Sequence, residues 1–415
     1  MKNMLSLYAI LLVLGCRKDP LPPPPPVPHT KLQIVWQVPI TPDTSEYSTQ
    51  PHAMIGGDIA YFVNFYAPSG FAQLRDGSTG QLKWKFDAFN SSIDGLLEGA
   101  ILNVGDKLVV NNWGRTYCID GQSGQLDWEL NAYAQGGSGE PLITSIGDYI
   151  YKANFEDSPP KITSASVVRT HYLQGRWDTL LTIAAEDSFH LNIAPPTLWV
   201  NPQGDSVLFI RDNGLRDVLA TPWEGRYNLV SLSAWNMRTR QYEWKIKDFL
   251  DQFAVMQRPP IVEGDRAYFL TSGALHGFDL VTGTRAWSRP LPNVAIHAGI
   301  VQHGDYIIAQ SSYDGMWAVD KSNGAIRWHN PKTYGTPTLL SYFDGVAYFT
   351  STGSSRLWAV NAETGQTIWD EPSPNAFSPR TPNAGFDFAN VVIDPVRRVL
   401  YTADKYYMMC IKLPE

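Results

Sequence analysis

The chain has 415 residues, 44% of them apolar and 18% charged, with 33 glycines and 30 prolines; this mix is turn-rich yet can bury a large core. Thirty-three basic against 40 acidic residues give a formal charge of −7 with no long run of either sign, which argues against a nucleic-acid partner, because phosphate binding needs a concentrated positive footprint. Three cysteines exclude a disulfide framework, and 14 tryptophans are the feature to follow.

Residues 1–3 form a short positive start and residues 4–14 are apolar. As a helix that stretch reaches roughly half of a bilayer core, so it reads as the apolar region of a signal peptide. Val13, Leu14, Gly15 and Cys16 then resemble the lipobox of bacterial lipoproteins. The resemblance implies cleavage before Cys16 and acylation of Cys16, where two or three chains anchor stably and one would be marginal. The plainer reading is an ordinary secretory signal with an incidental cysteine. Residues 20–28 contain seven prolines, a polyproline II stretch about 28 Å long that suits a tether better than a proline-motif ligand. The expected layout is a signal peptide over 1–15, a lipid anchor and tether over 16–30, and one folded unit over 31–415. No other segment is apolar and long enough to span a membrane.

From there a repeat organises the chain. A short apolar strand leads to Asp or Asn, then Thr, Ser or Asn, then Gly, then Trp. Copies are Asp76, Thr79, Gly80, Trp84; Asp120, Ser123, Gly124, Trp128; Asp279, Thr282, Gly283, Trp287; Asp320, Asn323, Gly324, Trp328; and Asn361, Thr364, Gly365, Trp369. A worn copy, Asn236, Thr239, Arg240, Trp244, lacks the glycine, and a degenerate hairpin falls near Gly175 and Trp177. Asp or Asn opens a tight turn by bonding the backbone ahead of it, and Gly takes the positive φ. The chain reverses into an outer strand whose Trp packs on the next module, because one module has no core of its own.

A second marker counts the modules. Turns that open a strand occur at Asp58, Asp106, Asp148, Asp205, Asp265, Asp305, Asp344 and Asp394, which makes eight. The eighth module ends near Lys412 before its outer strand, and residues 31–38, with Trp36, supply the missing piece. The expectation is an all-β, eight-bladed β-propeller of four-stranded antiparallel blades, closed by the N-terminal strand so that no sheet edge is left at the join. An open β-solenoid is the rival, and the terminal complementation argues against it.

These motifs resemble the PQQ-type propeller repeat of quinoprotein-like proteins over nearly all of residues 31–415. In layout, with lipobox, tether and eight blades, the chain is similar to the propeller lipoprotein of the bacterial β-barrel assembly machinery. That resemblance implies a non-catalytic scaffold for envelope proteins. The quinone enzymes of the superfamily would bring vicinal cysteines and calcium held by carboxylate and amide ligands. No Cys-Cys pair occurs, and Cys118 and Cys410 sit where other copies carry Ala318 and Ala359, as small buried residues. The eight histidines show no metal-ligand spacing, and His276 and His303 read as turn or surface positions. Asp212, Asn213 and Gly214 read as a hairpin turn rather than a calcium loop. No cofactor, metal or catalytic residue is expected.

Irregularity concentrates in blades three and four, where 116 residues separate Trp128 from Trp244. Residues 154–230 carry Arg169, Arg176, Arg211, Arg216 and Arg226 against the single Lys161, together with Trp177, Trp199 and Trp223. Arg and aromatic residues are enriched at protein interfaces. Insertions in a propeller emerge as loops on one face, so Arg169, Arg176, Trp177, Arg211, Arg216, Trp223 and Arg226 are candidate partner-binding residues. Solvated loop drift is the plain alternative. A second irregular stretch, residues 370–390, reads as a long loop near the central funnel with Arg380 reaching inward. The favoured function is a lipid-anchored scaffold for another envelope protein, monomeric by itself. Capture of a glycan or peptide comes second, and a quinone-dependent dehydrogenase third. Arg17 in place of Asp after Cys16 favours the outer membrane of a Gram-negative bacterium.

Overall fold

The computed structural model describes residues 31–41, 48–64, 70–89, 101–112, 115–131, 138–139, 143–155, 164–184, 189–217, 226–250, 259–271, 273–292, 299–335, 338–381, 383–387 and 389–414. The leader, Cys16 and the proline tether lie outside them. The described strands form eight antiparallel sheets, whose inner strands neighbour one another in a ring from blade 1 round to blade 8 and back. Blades 1 to 7 span residues 48–86, 101–131, 138–184, 189–250, 261–290, 300–330 and 341–372, and blade 8 joins residues 392–412 to Ile34–Pro39. The expected closure is present. Ile34–Pro39 runs antiparallel to Tyr407–Lys412, with Trp36 opposite Cys410.

Strand alternation gives the ring two unlike faces. On one, the turn face, lie the turns between inner and second strands and those between third and outer strands. The chemistry of the second kind is local: Asp76 Oδ1 accepts the Ser78 and Thr79 amides at 2.9 Å, and Gly80 N donates to Asp76 O at 2.8 Å. Hydrogen bonds from Ser78 and then Thr79 hold the Asp76 carboxyl well below the usual carboxylate range. The opposite, crossover face carries the connections between second and third strands and those from one blade to the next. Ahead of Ile34–Pro39, Lys31 N donates to Glu371 Oε2 of blade 7 at 3.0 Å.

Blades 3 and 4 are enlarged as expected, and among the described residues the enlargement includes longer strands. In blade 4 the second, third and outer strands are Ser206–Asp217, Arg226–Asn236 and Gln241–Leu250, nearly twice the length of their counterparts in blade 6. Its inner strand is split, with Thr197–Val200 pairing the lower part of Ser206–Asp217 and Phe189–Ile193 the upper. Asp212, Asn213 and Gly214 therefore lie inside a strand and make no hairpin turn.

Candidate functional site

The seams between blades locate what is ordinary here and what is not. In six seams the outer-strand indole reaches the next blade and donates Nε1–H to a turn carbonyl. Trp36 bonds Gly77 O, Trp84 Gly121 O, Trp128 Tyr172 O, Trp244 Leu280 O, Trp287 Lys321 O and Trp328 Ala362 O, at 2.6–3.0 Å. Each of these rings lies on the turn glycine of that next blade. A Cβ on Gly80, Gly124, Gly175, Gly283, Gly324 or Gly365 would stand within 2.6–2.8 Å of the indole. The glycine thus supplies both positive φ and a flat seat. Across its own blade the indole faces a small residue, Cys118 for Trp128, Ala318 for Trp328, Gly277 for Trp287 and Cys410 for Trp36. This is why two cysteines occupy the alanine slot; both are buried and unbridged, and burial pushes their thiols up to about 12.

The seam between blades 3 and 4 differs. Opposite Arg169, where the indole should stand, is Asp178. The glycine of the next turn is replaced by Arg240, which takes φ +56°. The two losses belong together, because with no indole to seat there is no need for a bare backbone. We expect Gly365→Ala to destabilise the fold by roughly 2–4 kcal/mol, from αL strain and collision with Trp328, and Arg240→Ala to be nearly neutral; parallel chemical denaturation checks both.

The candidate partner residues do not form one patch. Arg169, Arg176 and Trp177 gather at the turn face of blade 3. Arg169 packs 4.8 Å from the Tyr149 ring and bonds Asp178 at 3.0 Å, Arg176 is exposed, and Trp177 is half-buried. Arg216 and Arg226 stand in the crossover-side extension of blade 4, where Arg216 is in register with Tyr227 and Arg226 with Asp217. Trp223 lies outside the described residues. Arg211 is buried at 2% exposure against Phe269 of blade 5, where burial lowers its guanidinium to about 9; it does not face solvent, because its strand position points into the seam. His276 is likewise not a turn or surface residue. It sits inside Ala274–Asp279, packed on Phe249 and Phe269, and burial holds its imidazole near 3. His303 does lie beside its turn, bonded to Tyr342 Oη at 2.7 Å.

One residue escaped the sequence reading. Lys152 is 3% exposed in the seam between blades 2 and 3. Its Nζ donates to Thr116 Oγ1 at 3.0 Å and Asn111 Oδ1 at 3.3 Å, and burial pushes the amine down to about 7. At the same register the other blades hold Tyr61, Val110, Ile210, Phe269, Ala309, Phe349 and Thr402. A column read down the repeats would have exposed the one lysine in it.

The axis holds a cavity of about 660 Å³ to which every blade contributes, from Pro51 in the first to Val391 at the start of the eighth. Four of its lining residues are prolines, Pro51, Pro195, Pro259 and Pro260, and none is Asp, Glu, Lys or Arg. Arg380 is exposed and stands apart from this lining, whereas Asn390 and Val391 of the same loop belong to it. Calcium needs several oxygen ligands, carboxylates foremost. Among the described residues the axial lining does not fit a calcium-bound quinone, and no three His, Cys, Asp or Glu side chains cluster as metal ligands.

A family model described as outer membrane protein assembly factor BamB matches residues 209–402. BamB from Moraxella catarrhalis superposes with a TM-score of 0.57 at 15% identity, covering 92% of this chain and all of that one. The chain resembles a PQQ-type propeller of the BamB kind. The quinohemoprotein alcohol dehydrogenase ADHIIG from Pseudomonas putida HK5 matches with a TM-score of 0.62 at 12% identity, over 92% of this chain and 76% of that one. Sqt1 from Saccharomyces cerevisiae matches with a TM-score of 0.59 at 11% identity, over 91% and 98%. Identities this low establish the fold alone, and a dehydrogenase scores as well as an assembly factor. No curated protein sequence matches the chain.

Proposed function

We propose that the chain is a non-catalytic propeller scaffold, lipid-anchored through Cys16, that binds other proteins of the cell envelope in the manner of an outer-membrane assembly factor. The observation that carries this reading is the axis: among the described residues its lining is mostly apolar, proline-rich and holds no Asp, Glu, Lys or Arg, and so offers little to substrate activation. The match to the assembly-factor model supports the envelope setting. Two contact regions follow from the placement of the arginines. One is the turn face of blade 3, with Arg169, Arg176 and Trp177, and the other is the crossover extension of blade 4, with Arg216 and Arg226; Arg211 is buried and adds no contact surface, and Trp223 lies outside the described residues.

Capture of a glycan or peptide is the second reading. It is favoured by Tyr313, Tyr334 and Phe377, which are 77%, 52% and 56% exposed on the crossover face of blades 6 to 8, since exposed rings can serve as stacking platforms. A photo-crosslinker placed at position 176 or 226 in intact cells separates the two. Discrete adducts to envelope proteins are expected. Retention of soluble saccharide without protein adducts would favour capture, and dye reduction on adding quinone and calcium would overturn the non-catalytic assignment.

A further inference from the structure

We propose that the chain's own proline run, residues 20–28, docks across the crossover face of blades 6 to 8, on the exposed rings of Phe377, Tyr334 and Tyr313. The run lies outside the described residues, but its point of arrival does not. Lys31 N donates to Glu371 Oε2 at 3.0 Å, and Glu371 is one residue from the crossover end of the outer strand Thr367–Pro372 of blade 7. Leu32 is buried with Leu357, Trp369 and Phe386. Leu357 stands opposite Glu371, and Phe386 belongs to the connection from blade 7 to blade 8. The segment ahead of Lys31 therefore meets blade 7 on its crossover side, with Pro28 no more than about 11 Å from Lys31.

The three rings are exposed on backbone that neighbouring blades hold in place. Phe377 is carried by a loop pinned to blade 8, where Asn375 and Gln37 exchange amide hydrogen bonds at 3.2 Å and Ser373 Oγ donates to Asp404 Oδ2 at 2.6 Å. Tyr334, in the connection from blade 6 to blade 7, packs edge-on to Trp358 at 6.2 Å, and its carbonyl accepts Ser351 Oγ at 2.9 Å. Tyr313 follows Ser312 in the crossover turn of blade 6, and the Ser312 carbonyl accepts the Gly335 amide at 2.9 Å. From blade 6 to blade 8 is two sheet spacings, roughly 20 Å. Seven prolines in nine residues make a rod of roughly 28 Å, long enough to cross the rings. The chemistry suits that occupant. A proline run cannot donate to a strand ladder, whereas its preformed helix docks on aromatic rings at low ordering cost, and tyrosine hydroxyls can donate to its unpaired carbonyls. Covalent connection commits the rings to this ligand, which is delivered at roughly millimolar effective concentration. Docking turns the crossover face toward the anchor and leaves the turn face, with Arg176, open to a partner. That consequence rests on the lipid-anchored reading; the docking itself does not.

Photo-crosslinkers replacing Tyr334 or Tyr313 in the full chain test it, with exposed Leu82 on the outer strand of blade 1 as the control position. After illumination and trypsin digestion, positions 334 and 313 should be joined to the peptide of residues 19–31, which carries the whole proline run, and position 82 should not. The yield should be unchanged on dilution, because the contact is within one chain. Pro23→Gly with Pro25→Gly should cut it several-fold by making the rod flexible, with the melting temperature of the propeller unmoved. Recovery of that peptide from positions 334 and 313 at no more than the level of position 82 would overturn the proposal. So would a yield that falls with dilution, which marks a second copy, or one that ignores the glycine changes. Adducts to saccharide, lipid or another protein in place of residues 19–31 would overturn it as well.

Discussion

Trp36→Ala is expected to destabilise the protein by roughly 3–5 kcal/mol, the range for removing a buried large aromatic side chain, while Val35→Ala beside it changes stability little. The two residues are neighbours on one strand yet face opposite ways: Trp36 is 8% exposed and Val35 52%. Trp36 is where the ring closes. Its Nε1 bonds Gly77 O of blade 1, its indole covers Gly80, and its ring centroid lies 5.9 Å from that of Tyr401. Removing it opens a void shared by blades 1 and 8 and loosens the segment that covers the edge of Tyr407–Lys412. For a fold with a net stability of roughly 5–15 kcal/mol, that is a large fraction. Calorimetry of the two variants checks it, and equal melting temperatures would mean that the N-terminal strand does not hold the ring.

The architecture was legible because its determinants are local and repeated. Asp, Gly and Trp at fixed offsets specify a turn, its handedness and its neighbour contact within nine residues, and the eight strand-opening turns count the blades without reference to distant contacts. What was not legible depends on which way a strand residue faces. Arg211 looked like a surface arginine because composition does not carry register; one position in the ladder turns it onto Phe269. His276 reads as a turn or surface residue, yet it falls where the strand packs against Phe249 and Phe269. The extension of blade 4 was taken for loop because a split inner strand, with Pro195 and Pro196 between its parts, leaves no repeat to recognise. The arginine-rich candidates are scattered for the same reason, since closeness in sequence along long strands places them at opposite ends of the molecule. The lost indole of blade 3 and the lost glycine of blade 4 were each visible. That one explains the other required knowing that the indole sits on the next blade's turn.

Lys152→Met should raise stability at neutral pH, by roughly 1–4 kcal/mol if it behaves like other replacements of buried charged groups by apolar ones. An amine 3% exposed, held by a hydroxyl, an amide oxygen and the Trp177 ring 5.7 Å away but by no carboxylate among the described residues, gains little on folding for the solvation it gives up. Asn111 and Thr116 still bond each other once it is gone, at 2.6 Å. The pH dependence has a defined sign. Unfolded lysine titrates near 10.4, whereas burial brings Lys152 down to about 7. Between those values the unfolded chain holds the extra proton, so stability rises with pH across that window, by at most about 1.4 kcal/mol per pH unit. Below pH 7 both states are charged and this slope disappears. Cys118, Cys410 and Tyr348 are shifted up to about 12 by burial, and as acids they oppose the trend once their unfolded forms ionise. The clean interval is therefore pH 7 to 8. Denaturation midpoints of the parent should climb over that interval relative to those of Lys152→Met. Parallel curves for the two proteins would mean that the amine keeps its proton inside the seam.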